Sequence, residues 1–328
     1  MNEKSLLFRT VSQQELEMVC QHYLRAPLRS ARLLSGGLFN TTYLLETAEQ
    51  KAVLRLGPVN RHLLLPYEAH LMRAEAELLP LLHAHQIPTS QLIASDSSHR
   101  ILDRDVMLVA YIPSVSMADG RWDAETTAAL FRQSGELARK MNGITAWELP
   151  VPPEKPFGRY SSVIAGHGCG TWREAILLEV DQWRGCAEAT GLFPPPVLER
   201  ITECYRRNAW LFDQVGRVPQ FIHADLWHGN VLVGADGKVA AIIDCDRALF
   251  GDPEFDLAMD WMVNDDFLRG YGTAPDPSPE ARLRRRLYNL MALLEECYIL
   301  QSEYNDPQAC QAAKAQILAA LDQLDSEA

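Results

Sequence analysis

His223-Ala224-Asp225-Leu226-Trp227-His228-Gly229-Asn230, followed by Ile243-Asp244-Cys245-Asp246, gathers the side chains that phosphoryl transfer needs. That reaction depends on positioning and charge neutralisation more than on covalent help. A carboxylate can accept the proton of an attacking hydroxyl, and Asp225 is placed to do so. Mg²⁺ is a hard ion that takes oxygen ligands and usually only one or two protein carboxylates. Asp244 supplies one such carboxylate and Asn230 a neutral oxygen. Taken singly, Asp225 and Asn230 are as easily loop residues that satisfy backbone groups. All three at this spacing, with Asp244 ending an apolar strand, are much harder to explain that way.

A hairpin must position them. Asn230-Val-Leu-Val233 and Val239-Ala-Ala-Ile-Ile243 are β-prone runs, and Asp236-Gly237 between them is a strong turn signal. Folding about that turn sets Asn230 opposite or nearly opposite Asp244, where cross-strand Cβ atoms lie about 4.5–5.5 Å apart. Asp225, on the loop feeding the first strand, reaches the same end.

Upstream, residues 33–43 read as strand, glycine turn and strand, and Ala52-Val-Leu-Arg55-Leu56 as a third strand. Gly36-Gly37 suits close approach of backbone amides to phosphate, although two glycines are often only a turn. Residues 67–85 carry apolar side chains at helical period, with Glu75 and Glu77 among them. Val106-Met-Leu-Val-Ala-Tyr-Ile112, stopped by Pro113, is a buried strand leading into a loop. Residues 123–141 read as a helix, and Thr171 with Glu174 forms a capping box. Asp252 before Pro253 fits an N-cap with proline in the first helical position.

At 328 residues with 47% hydrophobic content, the chain suits two lobes around a cleft. No run of about 18 apolar residues predicts a membrane span, and the first residues lack the order of a signal peptide. Seven cysteines without a Cys-x-x-Cys pair argue against a disulfide framework or a zinc site. A reduced, cytoplasmic enzyme is the expectation. The net charge of −12 disfavours nucleic acid and is a light argument for cationic partners.

His-x-Asp-(four residues)-Asn, the hairpin, Ile-Asp-x-Asp, and Gly251-Asp-Pro-Glu-Phe-Asp256-Leu-Ala258 together resemble the aminoglycoside phosphotransferase and choline kinase family. The resemblance implies an α+β, bilobal protein-kinase-like fold. A small antiparallel-sheet lobe would span 1–112 and a larger, mainly helical lobe 113–328. It implies ATP and Mg²⁺ as cofactors, Asp225 as catalytic base, Asn230 and Asp244 as metal ligands, and Asp256 as a buried acid bracing the catalytic loop. Gly36, Gly37 and Asn40 would face the nucleotide phosphates. Arg55 would stand where the family commonly has lysine, paired with Glu75, and the backbone from Ala110 to Ile112 would bond adenine. Ala224 departs from the family's usual glycine, with little effect expected from one methyl.

Acids of the C-terminal elements would line the acceptor pocket, so Asp260, Trp261, Asp265, Glu295 and Glu296 are candidates. Asp246 either contacts metal-bound water or caps the turn toward Gly251. The expected partner is a small molecule bearing a hydroxyl, with the chain a monomer or homodimer. An aminoglycoside-type antibiotic is favoured slightly, since Thr171-Trp172-Arg173-Glu174 is similar to hygromycin phosphotransferases. A metabolic kinase acting on an amino alcohol, sugar or hydroxy amino acid stays open. A non-catalytic pseudokinase has only Arg55 in its favour. A protein kinase is disfavoured by the short path from Asp244 to Asp256, which leaves no room for an activation segment.

Overall fold

Alternating burial builds the first layer of the computed structural model, which describes residues 5–34 and 38–326. Helix α1 (Gln13–Val19), capped by Ser12 with Glu15, precedes β1 (Ser30–Leu33), β2 (Thr41–Glu46) and β3 (Lys51–Leu56). In β2 the residues Thr41, Tyr43 and Leu45 are buried, and in β3 Ala52, Leu54 and Leu56, the period of two that packs one face of a pleated strand. That face meets Leu16, Val19 and Leu24. Helix α2 (Leu71–Ala84) packs Met72, Leu79 and Leu82 with Met107 and Val109. With β4 (Leu92–Asp96) and β5 (Val106–Ala110) the strands form an antiparallel sheet in the order β1-β2-β3-β5-β4.

The helix expected over 67–85 is shorter in the structure. Pro66–His70 forms a separate 3₁₀ turn whose Tyr67 and Glu68 side chains are drawn into buried polar contacts, and α2 begins only after it.

The chain then crosses through β6 (Val115–Ser116) to α3 (Ala124–Met141), which Asp123 caps through the Thr126 amide. Next come β7 (Gly158–Arg159), α4 (Tyr160–Ile164), α5 (Trp172–Ala189) and α6 (Pro195–Arg207). The predicted Thr171–Glu174 capping box opens α5. Strands β8 (Gln220–Ile222), β9 (Val231–Val233), β10 (Val239–Ile242) and β11 (Leu249–Gly251) follow, then α7 (Asp265–Tyr271), α8 (Pro279–Ser302) and α9 (Pro307–Ser326). The short strands pair as β10-β9-β6 and β7-β11-β8.

Aromatic residues fill the helical part. The Trp172 indole donates to the Tyr288 hydroxyl at 2.7 Å and Trp183 to the Leu294 carbonyl at 2.7 Å, so each large buried ring has its polar atom satisfied. Helices α3 and α7 touch through glycines. A Cβ on Gly135 would lie 2.0 Å from the Phe267 carbonyl oxygen, and one on Gly270 1.8 Å from that of Arg132. A small antiparallel sheet with α1 and α2, joined to a larger and mainly helical part, is the bilobal α+β layout the resemblance implies.

Candidate active site

Strand β8 delivers His223-Ala224-Asp225, and a buried acid fixes the turn that follows. Asp256 accepts from the backbone N–H of His223 at 3.0 Å and of Ala224 at 2.9 Å, and from the Asn142 amide at 3.4 Å. The fully buried His223 links both halves of the motif. Its Nε2 lies 3.1 Å from the Ile243 carbonyl, and its Nδ1 accepts from the Asp225 amide at 3.3 Å. Burial lowers its proton affinity, consistent with a neutral ring donating on one side and accepting on the other. Ala224 has φ of 63°, the left-handed region that glycine enters freely. Its methyl therefore strains the backbone, which corrects the expectation that it is inconsequential.

Asn230 closes the loop. Its Nδ2 donates to the Asp225 carbonyl at 2.7 Å and to the Asp225 Oδ2 at 3.0 Å, so the amide oxygen is the atom left for a cation. The hairpin pairs Ile242 with Val231, and the Ile243 amide donates to the Asn230 carbonyl at 3.0 Å. Asp244 is thus one residue beyond the position facing Asn230. It too has a left-handed backbone, at φ 60° and ψ 51°. Non-glycine residues held there are uncommon and concentrate at functional sites.

Arg55, next to last in β3, reaches across to this acid. Its Nη1 meets Glu75 of α2 at 2.5 Å, the expected pairing, while its Nη2 lies 2.6 Å from Asp244 and 3.3 Å from Asp246. Carboxylate oxygens of Glu75, Asp244 and Asp246 all lie within 4.8 Å of one another. Asp246 therefore belongs to the acid cluster beside Asp244. Hard oxygen donors already gathered around a positive group fit a divalent ion such as Mg²⁺.

Burial sets the protonation of these acids. It pushes the Asp225 carboxyl up to about 7, with Arg247 pulling the other way and Asp244 adding to the rise. Burial raises Glu75 and Asp246 as well, opposed in each by Arg55. A carboxylate that readily holds a proton is the property a hydroxyl-activating base requires.

Other predicted residues are scattered. Gly36 and Gly37 lie outside the described residues. Asn40 is buried just before β2 and lines a narrow cavity with Gly57 and Asp105, whose lining includes none of Glu75, Asp244 and Asp246. At the expected hinge the Ala110 N–H donates to Gln91 and the Tyr111 N–H to Lys51, so backbone bonds already occupy these two donors. The Ile112 carbonyl accepts from the Ser114 hydroxyl.

Among the acceptor-side candidates, Trp261 touches the catalytic loop. Its indole donates to the Leu226 carbonyl at 3.3 Å, and the ring is 44% exposed. Asp260 lines a cavity of about 480 Å³ with Arg282, Arg285 and Asn289. Asp265 and Glu296 are exposed. Glu295 is corrected: it is buried, meets Arg159 at 2.5 Å and accepts from the Tyr67 hydroxyl at 3.1 Å, so it braces the fold.

Two arginines were missed by sequence reasoning. Arg247 donates to the Tyr67 hydroxyl at 2.6 Å and to Glu68 at 2.7 Å, tying the segment after Asp244 to the 3₁₀ turn before α2. Arg159 donates to the Arg247 carbonyl at 2.9 Å and to Glu179 at 2.7 Å. No sequence spacing signals either one, because their partners lie up to 180 residues away.

Sheet, α2 ion pair, braced loop and acid cluster define a protein-kinase-like phosphotransferase fold. Residues 30–297 match the model of the phosphotransferase enzyme family, and the chain belongs to that family. Over 105 residues it is 40% identical to a probable ketoamine kinase of Vibrio vulnificus. The match covers 31% of this chain and 34% of that protein, so the chain spans about a third of the length of this relative. The fold is that of aminoglycoside phosphotransferase APH(4)-Ia, with a TM-score of 0.68 at 16% identity over 95% of this chain and 99% of the other. A thermostable mutant of that enzyme, in a ternary complex with AMP-PNP and hygromycin B, superimposes with a TM-score of 0.67 at 16% identity, covering 94% and 98% of the two chains. Among the described residues no helix is long and apolar enough to cross a membrane.

Proposed function

We propose that the protein is an ATP- and Mg²⁺-dependent kinase that phosphorylates a hydroxyl of a small, sugar-like molecule. The observation that carries this reading is the 3.0 Å bond from Asn230 to the Asp225 carboxylate, beside an Asp244 held at the same hairpin end. Asp225 takes the acceptor's hydroxyl proton as the oxygen attacks the terminal phosphorus of ATP. The bond from that phosphorus to the bridging oxygen breaks, and ADP leaves. Asp244 and Asn230 would hold magnesium, which supplies charge neutralisation of the phosphates when bound. Arg55, with its planar fork, would keep one terminal nitrogen on Glu75 and offer the other to phosphate oxygens.

For the acceptor, the relatives at 40% and 32% identity, both named probable ketoamine kinases and matched over about a third of their length, support a hydroxyl on a sugar-derived amine. The antibiotic reading rests on fold likeness, the net charge of −12 and the Thr171-Trp172-Arg173-Glu174 segment, and is the second choice. A coupled ADP-release screen over ketoamines, aminoglycosides, amino alcohols and hydroxy amino acids tests both. Release with a ketoamine, lost in Asp225→Ala, is the expected result. Release that is unchanged in Asp225→Ala would remove the base from the scheme, since such a loss typically costs about 10²–10⁴-fold.

A further inference from the structure

The guanidinium of Arg55 sits where a metal ion would serve the acids around it. Glu75, Asp244 and Asp246 bring their oxygens within 4.8 Å of one another, and Arg55 contacts all three, at 2.5, 2.6 and 3.3 Å. A lysine offers one point charge at the end of a flexible stem. Arginine's two terminal nitrogens divide the task here, Nη1 on Glu75 and Nη2 on both aspartates. The lysine usual at this position in the resembled family would place a single ammonium among the three acids instead of two separate nitrogens.

We propose that Arg55 is a resident counter-cation that withholds Asp244 from a divalent ion until nucleotide phosphates draw the guanidinium away. The inference rests on the metal and nucleotide roles proposed above. The contacts of Arg55 to Glu75 and to Asp244 differ in rigidity. Arg55 lies within β3, paired with Thr42 and Met107 on its two neighbours, and Glu75 lies in the second turn of α2, so that pair joins two packed elements. Asp244 stands in a loop after β10, with its side chain 36% exposed, while the Glu75 side chain is 4% exposed. The contact to Asp244 is therefore the one that can be exchanged, while the contact to Glu75 is kept. Phosphate oxygens offer the released Nη2 a charge-assisted bond that replaces the lost carboxylate. Asp244 is then free to take metal. Asp246 shares Nη2 and is released with Asp244, and the arriving metal compensates both acids. Nucleotide and metal binding become coupled through this single side chain, and by linkage the coupling is reciprocal.

The test is Mn²⁺ binding to the nucleotide-free protein, read from the paramagnetic resonance of free Mn²⁺ and by calorimetry. Wild type, Arg55→Met, Arg55→Lys and the double variant Arg55→Met/Asp244→Asn are compared, with thermal melting as a check on folding. Arg55→Met is expected to bind Mn²⁺ about tenfold tighter than wild type or better, within the usual range of coupling between two ligands. Arg55→Lys should fall between them, and the double variant should lose the gain. If Arg55→Met does not fold, Arg55→Lys carries the comparison. A folded variant binding Mn²⁺ no tighter than wild type overturns the inference and leaves the kinase reading standing. Wild-type affinity of Asp244→Asn for Mg²⁺ and AMP-PNP instead removes the metal role on which both rest.

Discussion

The Arg159 guanidinium meets the Glu295 carboxylate at 2.5 Å in the interior of the helical lobe, with both side chains almost fully buried. Glu179 and the Tyr67 hydroxyl complete the cluster, and Arg247 extends it to Glu68. Removing one member of a buried ion pair leaves the other uncompensated, at about 3–5 kcal/mol. Arg159→Met is therefore expected to destabilise the fold by that amount. Glu295→Gln should lower the melting temperature while leaving the acceptor KM of the surviving protein unchanged. An acceptor KM raised tenfold at unchanged stability would return Glu295 to the substrate site.

Glu303 should make the protein less stable as pH rises. Its side chain has no exposure, and neither carboxyl oxygen has a hydrogen-bond donor among the described residues. Burial, reinforced by the neighbouring Glu68 and opposed by Arg247, pushes its proton affinity from an ordinary 4.5 up to about 11. The unfolded chain releases this proton above pH 4.5, whereas the folded chain keeps it, so stability falls from there toward pH 11. Glu303→Gln, which retains a donor for Glu68, should be more stable than wild type at pH 8 by about 2 kcal/mol or more, given about 1.36 kcal/mol per pKa unit. The difference should close near pH 4. Chemical denaturation of both proteins at the two pH values decides the point.

Ala224→Gly is expected to stabilise the protein. A left-handed backbone costs a non-glycine residue about 1–2 kcal/mol, and glycine gives back about 0.5–1 kcal/mol through the freedom of the unfolded chain. A net gain of about 0.5–1 kcal/mol in urea denaturation, with turnover retained, is the expected outcome. A loss of stability would mean that the alanine methyl makes a compensating contact.

Gly135→Ala should act against helix propensity. In an exposed helix, alanine is favoured over glycine by about 1 kcal/mol. Here the new Cβ would sit 2.0 Å from the Phe267 carbonyl oxygen and 2.8 Å from the Tyr271 nitrogen, so α7 must shift. Overpacking of this kind typically costs about 1–3 kcal/mol. The variant is therefore expected to be less stable, and a rise in melting temperature would show that the two helices separate freely.

The sequence by itself determined the segment proposed as catalytic, because Asp225, Asn230 and Asp244 are joined by a loop and one short hairpin whose turn chemistry is local. It also supported Glu75 as the partner of Arg55, through the resemblance in the order of strand and helix. Register came within one residue: Asn230 bonds to Ile243, and the irregularity between Val239 and Ala241 has no sequence signature. Tertiary structure alone decided that Glu295 is buried, that Arg159 and Arg247 bridge distant segments, and that Asp246 joins the acid cluster. It alone showed Ala224 and Asp244 in left-handed backbone and Arg55 spread over three acids. Turns and strands follow from forces acting over a few residues, whereas the burial and pairing of a charge depend on which distant segments the completed core brings beside it.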